Sequence, residues 1–157
     1  MKSIKKISLL IIIFIGLFLL TGCTKNVQGS LEDIMAQVYA DIPEDERPMM
    51  LTNTAINEEN IEYFLGTKDI EYSEALASES GVGSIAHSVV LLRTKENADV
   101  DKIKEQIEKN VNPRKWVCVG VEEDEVIVEN KGDLIILIMV QDEENREKLE
   151  DAFENLR

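Results

Sequence analysis

The chain has 157 residues, of which 44% are hydrophobic and 31% are charged, a composition typical of a folded domain and not of a disordered segment. Its formal net charge is −14, which becomes −17 when the three lysines of residues 1–22 are left out. This negative charge argues against nucleic acid and anionic lipid head groups as partners, because both would be repelled.

Residues 1–22 have the pattern of a secretory signal. Three lysines among the first six residues precede an almost wholly apolar run, Ile7–Leu20, whose 14 residues are fewer than the roughly 20 needed to span a bilayer. The run ends in Leu20-Thr21-Gly22-Cys23, which resembles the lipobox of bacterial lipoproteins. The resemblance implies transfer of a diacylglyceryl group to the Cys23 sulfur and cleavage between Gly22 and Cys23. A plain transmembrane anchor is the alternative interpretation.

The signal divides the chain into three predicted parts. Residues 1–22 are the lipoprotein signal peptide, residues 23–30 are a lipidated polar tether, and residues 31–157 are a single domain. We expect the protein to be lipid-anchored in the cell membrane and to face outside the cytoplasm, because two acyl chains hold a protein stably at a bilayer.

The sequence pattern in the first part of the domain predicts two helices and one short strand. Ser30 and Asp33 match a loose capping box, and Leu31, Ile34 and Val38 recur at helical spacing, so we expect a helix over 31–40. The acidic segment 41–48 contains two prolines and reads as a loop, and residues 49–52 form a short strand. A second helix is expected to begin near Asn57 and to be closed by Gly66.

From residue 70 onward the pattern is a β-hairpin followed by a helix, twice. Segments 70–77 and 84–94 flank a turn at Gly81 and Gly83, and segments 125–129 and 134–140 flank the turn residues 130–133. A shift of 46 residues aligns the two blocks, although ββα architecture without duplication explains the match equally well. The two helices present these apolar faces: Val100, Ile103, Ile107; and Leu149, Ala152, Phe153, Leu156.

These segments predict an α+β fold. We expect an antiparallel sheet with helices on one face, a ββα arrangement occurring twice, and N-terminal helices before it. Residues 117–121 are expected to add a strand or to extend the second hairpin. Cys118 lies in this apolar run, so we expect a small buried side chain and not a nucleophile. With Cys23 acylated, Cys118 has no partner within the chain.

The sequence offers few residues for catalysis. His87 is the single histidine, and at the start of a strand it favours a packing or surface role over that of a base or ligand. No nucleophile-elbow, zinc-protease or phosphate-binding motif occurs. The acidic clusters 44–46, 122–125 and 142–144 lack the alternating ligands and central glycine of a calcium loop, so we expect neither a metal nor a cofactor.

One segment is a candidate interaction patch. Arg114, Lys115 and Trp116 combine a basic doublet with the sole tryptophan, in a chain that is otherwise strongly acidic. Such a patch could recognise an anionic ligand or a protein. The alternative is a helix-to-strand loop in which Trp116 packs inward and the bases are solvated.

Three segments, 86–92, 112–116 and 130–136, resemble a family of small Gram-positive lipoproteins that is catalogued only as a domain of unknown function. The resemblance covers about residues 48–156. It implies a cell-surface setting in a bacterium with one membrane, and it implies no activity and no catalytic residues.

We therefore expect a membrane-anchored, non-enzymatic interaction domain that binds an unknown protein or envelope component. A small-ligand-binding accessory lipoprotein is a second hypothesis, although a domain of this size lacks the two-lobed cleft usual in such receptors. An envelope enzyme is the least favoured hypothesis, because the chain has no second histidine and no metal motif.

Overall fold

A five-stranded antiparallel sheet forms the centre of the domain. The computed structural model describes residues 26–157, so the signal segment and Cys23 lie outside the described range. Within that range, no helix is both long and apolar enough to cross a membrane. In chain order the elements are α1 (Leu31–Val38), β1 (Leu51–Ala55), α2 (Ile61–Leu65), β2 (Tyr72–Ser80), β3 (His87–Thr94), α3 (Val100–Asn110), a 3₁₀ turn (Glu123–Glu125), β4 (Ile127–Lys131), β5 (Leu134–Val140) and α4 (Glu143–Glu154).

The strand order β1-β2-β3-β5-β4 places the two most apolar strands, β3 and β5, at the centre of the sheet. Every residue of β5 is buried, because alternate side chains enter cores on opposite faces of the sheet. The prediction of an α+β fold with an antiparallel sheet is confirmed, and the run 134–140 forms a strand with the predicted limits.

The prediction that the helices lie on one face is wrong. Ile103 and Ile107 of α3 pack on the same face as α2, whereas Leu149 and Phe153 of α4 pack with α1 on the other face. Helices cover both faces of the sheet because the central strands carry apolar side chains on both faces. The order ββα does occur twice along the chain, but its two helices cover opposite faces, so the structure does not confirm a repeated unit.

The N-terminal region differs in detail from the prediction. The helix expected over 31–40 forms at 31–38, and the Ser30 hydroxyl accepts a hydrogen bond from the Asp33 backbone N–H as its N-cap. Helix α2 begins after Asn60, not at Asn57, and lies between β1 and β2. Gly66 closes it as expected, with a φ of 75°.

The segment 117–121 forms no strand, which corrects another prediction. Its chain is held instead by single backbone bonds, from Val117 N–H to the Gly83 carbonyl and from Val121 N–H to the Pro113 carbonyl. Cys118 has a φ of 64° and is exposed, so the prediction of a buried thiol is wrong as well. The positive φ breaks the strand geometry and turns the side chain away from the core.

Part of the expected tether belongs to the folded domain. Val27 is 2% exposed and packs into the core beneath α1 and α4. Arg93 donates hydrogen bonds to the carbonyls of Val27 and Gly29, at 2.8 and 3.1 Å, and pairs with Asp133. Asn26 lies against Gly132 in the β4–β5 turn, where a Cβ would come within 2.4 Å of Asn26 Oδ1. We call the end of the sheet formed by residues 26–29, Arg93 and 130–133 the clamp end.

Candidate functional site

The opposite end of the sheet, which we call the loop end, gathers the unusual side chains of the domain. It is formed by residues 43–50, 81–86 and 141–145, which adjoin the strand ends opposite the clamp end, and by residues 114–118, which bond to the 81–86 loop. Two buried polar clusters lie here, one on each face of the sheet, and exposed apolar side chains lie at its rim. The loop end is therefore the candidate functional site.

The first cluster is centred on Lys115. Its side chain is 4% exposed and forms an ion pair with Glu79, and its ammonium donates to the Ser88 hydroxyl at 3.2 Å. Burial lowers the pKa of Lys115, and the Glu79 carboxylate opposes that shift. The charge is thus retained inside the fold by a paired carboxylate and not by water.

Aromatic rings complete the surroundings of this ammonium. Lys115 Nζ lies 4.3 Å from the ring centre of Tyr63, 4.9 Å from that of Phe64 and 5.1 Å from that of Trp116. The Tyr63 hydroxyl donates to Glu79 at 2.5 Å, and burial together with this carboxylate raises the pKa of Tyr63. The cage is filled by the protein's own lysine, so it is a structural unit and not an open cation site.

A serine beside a lysine invites comparison with Ser–Lys hydrolases, in which the amine takes the proton of the nucleophile. Ser88, however, is fully buried in the central strand β3, and Lys115 is already engaged by Glu79. No substrate carbonyl could reach the Ser88 hydroxyl in this arrangement. The geometry supports packing and not nucleophilic catalysis.

The second cluster lies on the other face and joins Tyr39 to His87. Tyr39 Oη and His87 Nε2 are 2.7 Å apart, and both side chains are buried. Burial lowers the pKa of His87 to about 4, against the opposing influence of Asp142 and Glu79, and burial raises the pKa of Tyr39. Both groups are therefore neutral at pH 7, which agrees with the packing role expected for His87.

An open concavity of about 480 Å³ lies over His87. Glu46 and Pro48 form one wall, Ser84 and Ile85 a second, and the β5–α4 connection with Asp142 a third. The Asp142 side chain already caps α4 by accepting from the Asn145 backbone N–H. Residues 26–157 contain no group of three side chains suited to hold a metal ion.

The rim of the loop end is apolar. Met49, Met50 and Val117 are each about two-thirds exposed, at 67%, 68% and 67%. Met50 packs over Gly81 and Val117 lies beside Gly83, so these two side chains flank the 81–83 turn, and Met49 precedes Met50 in the chain. We call Met49, Met50 and Val117 the apolar tip. Exposed large apolar side chains gathered at one place are typical of an interaction surface.

The predicted patch is not a free surface, which corrects that hypothesis. Trp116 is buried, with an Nε1 that has no partner among the described residues, and Lys115 is the buried ion described above. Arg114 alone is exposed, and it pairs with Glu122 at 2.8 Å. The structure thus brings the three residues together, but with Trp116 packed inward, as the alternative interpretation has it.

Sequence reasoning missed Tyr39, Glu79 and the apolar tip. Tyr39 and His87 are separated by 48 residues, so no local pattern joins them. Met49 and Met50 were placed in a strand that in fact begins at Leu51. Met50 precedes this strand with a positive φ of 55°, which is outside the extended region, and its side chain is exposed.

No family model, curated protein or solved structure matches this chain. The resemblance to the family of Gram-positive lipoproteins therefore stays a prediction.

Proposed function

We propose that this protein is a membrane-anchored extracytoplasmic lipoprotein whose domain binds a protein or envelope partner, without catalysis, through the apolar tip at its loop end. The anchor is proposed from the motif ending at Cys23, which follows an apolar run too short to span a bilayer. The observation that carries the binding role is the high exposure of Met49, Met50 and Val117, of which Met50 and Val117 lie beside the same 81–83 turn.

The buried clusters support this proposal by fixing the base of the tip. Lys115 and Glu79 tie the segment before Val117 to strand β2, and Val117 N–H bonds to the Gly83 carbonyl at 2.8 Å. The Ser80 hydroxyl donates to the Met49 carbonyl at 2.8 Å on the other side of the turn. A tip held in one conformation loses little conformational entropy when a partner binds it.

The test is photo-crosslinking in intact membranes, with a photoreactive residue at position 84 of the lipoprotein. The tip variant carries Met49→Gln, Met50→Asn and Val117→Thr, and asparagine suits the positive φ of position 50. The control is Arg114→Ala, which removes the only exposed member of the basic doublet. We expect the tip variant to lose its crosslinked band and the control to keep it. Retention of the crosslinked band in the tip variant would contradict the proposal.

The concavity over His87 favours a second candidate, the binding of a small ligand. Its volume of about 480 Å³ lies within the range of small-molecule sites, although it is open to solvent on one side. A ligand seated there would raise the thermal unfolding midpoint, and substitution of Ser84 by a bulky residue would abolish that rise. The tip variant would leave the rise intact, which separates the two functions.

A further inference from the structure

The short connection between Cys23 and the folded domain restricts how the domain sits on the membrane. Only three residues separate Cys23 from Val27, which is 2% exposed. Four Cα-to-Cα steps of an extended chain reach about 14 Å at most. The Cα of Cys23, from whose side chain the acyl groups would extend, therefore lies within that distance of the Val27 Cα.

The clamp end cannot easily release this connection. Arg93, near the end of the central strand β3, donates hydrogen bonds to the carbonyls of Val27 and Gly29. It also forms an ion pair with Glu74 at 2.8 Å, which orients its side chain. Its side chain is 16% exposed, so water competes weakly for these bonds. Val27 adds the burial of an apolar side chain, which further holds this segment to the core.

We propose that the clamp end faces the bilayer that carries the anchor and that the loop end points away from it, an inference that rests on the proposed lipidation of Cys23. Strand β3 runs from His87 at the loop end to Thr94 at the clamp end, a length of about 24 Å. The apolar tip is thus presented to the space outside the membrane. The negative charge of the domain opposes insertion into anionic lipid, so the connection, not attraction, holds the clamp end close.

The native cysteine gives a direct test of this orientation. Cys118 is exposed at the loop end, and Asn130 is exposed near the end of β4, at the clamp end. One sample carries a fluorophore on Cys118, and the other carries it on Asn130→Cys in a Cys118→Ser background. Both full-length lipoproteins are reconstituted into phosphatidylcholine vesicles that contain a short-range quencher on the lipid head group.

We expect severalfold stronger quenching at position 130 than at position 118. Inserting a Gly-Ser segment of roughly 20 residues before Asn26 adds an average reach of about 25 Å and should reduce that difference without releasing the protein. Equal quenching at the two positions in protein that floats with vesicles would overturn the orientation alone. Failure of the protein to float with the vesicles would contradict the proposed lipid anchor and, because the orientation rests on that anchor, the orientation as well.

Discussion

At the scale of single residues, the two buried clusters contain the buried titratable side chains Lys115 and His87. Lys115 and His87 are both titratable and buried, but they differ in how their polar groups are paired. Lys115 keeps its charge beside Glu79, whereas His87 is neutral and shares a hydrogen bond with Tyr39. The pairing of His87 is tested by the pH dependence of unfolding, and that of Lys115 by substitution.

Acidification should destabilise the domain through His87. Its pKa is about 4 in the folded protein and 6.5 in an unfolded chain, so below pH 6.5 the unfolded state binds the proton first. Above pH 6.5 the titration of His87 does not lower the free energy of unfolding. As the pH falls from 6.5 to 4, protonation of His87 in the unfolded chain lowers this free energy by about 3 kcal/mol. Urea unfolding at stepped pH measures the effect. His87→Gln should show a shallower slope between pH 6.5 and 4, and an unchanged slope would refute the role of His87.

Breaking the ion pair from one side should be costly. Lys115→Met leaves the Glu79 carboxylate, 15% exposed, without its cation, and we expect a loss of about 3 kcal/mol. Adding Glu79→Gln to that variant should recover part of the loss, because the buried charge is then gone. Arg114→Ala is the matched control, since its ion pair is exposed, and it should change the free energy of unfolding by less than about 0.5 kcal/mol. Equal losses for Lys115→Met and Arg114→Ala would contradict this account.

At the scale of elements, the sequence predicted best where one local pattern decides the structure. The run 134–140 forms a strand because all its side chains are apolar and turn residues precede it. The caps at Ser30 and Gly66 likewise form as expected, since each depends only on neighbouring backbone groups. Residues 117–121 are also apolar, but they fold as a loop because their backbone bonds go to Gly83 and Pro113. A local pattern contains no information on these distant partners.

The packing of helices on both faces was also beyond local patterns. The apolar residues of α3 and of α4 have similar spacing, and this spacing does not indicate which face of the sheet each helix covers. The candidate site depended on the same kind of contact. His87 was expected to have a packing or a surface role, and it is buried. Its bond to Tyr39 and the contact of Lys115 with Glu79 join distant segments.

Gly66 offers a test of how α2 is joined to α3. It has a φ of 75°, and a Cβ at this position would lie 2.0 Å from the Asn110 carbonyl oxygen at the end of α3. Gly66→Ala should therefore cost more than about 2 kcal/mol, from both the backbone conformation and the clash. The control is Gly81→Ala, where a Cβ meets Met50 at an ordinary 3.5 Å. Chemical denaturation compares the two, and similar stabilities would show that α2 can move away from α3.

At the scale of the whole molecule, the two ends of the domain differ in character. The clamp end receives the chain from Cys23, and the loop end carries both buried polar clusters and the apolar tip. Membrane attachment and partner binding would then occur at opposite ends of the sheet, so neither would obstruct the other. This arrangement depends on where the mature chain begins.

Cys23→Ala should separate attachment from folding. The variant is expected to lose labelling by radioactive palmitate, because the thiol that we propose as the acceptor of the diacylglyceryl group is absent. Its domain should still fold with unchanged stability, since the core begins at Val27. Lipid label that persists in Cys23→Ala would place the modification elsewhere.

Mass spectrometry of the protein extracted from membranes tests the central claim most directly. We predict a mature chain that begins at Cys23 and carries a diacylglyceryl group on its sulfur. A chain that still begins at Met1, or an unmodified thiol at Cys23, would contradict the account.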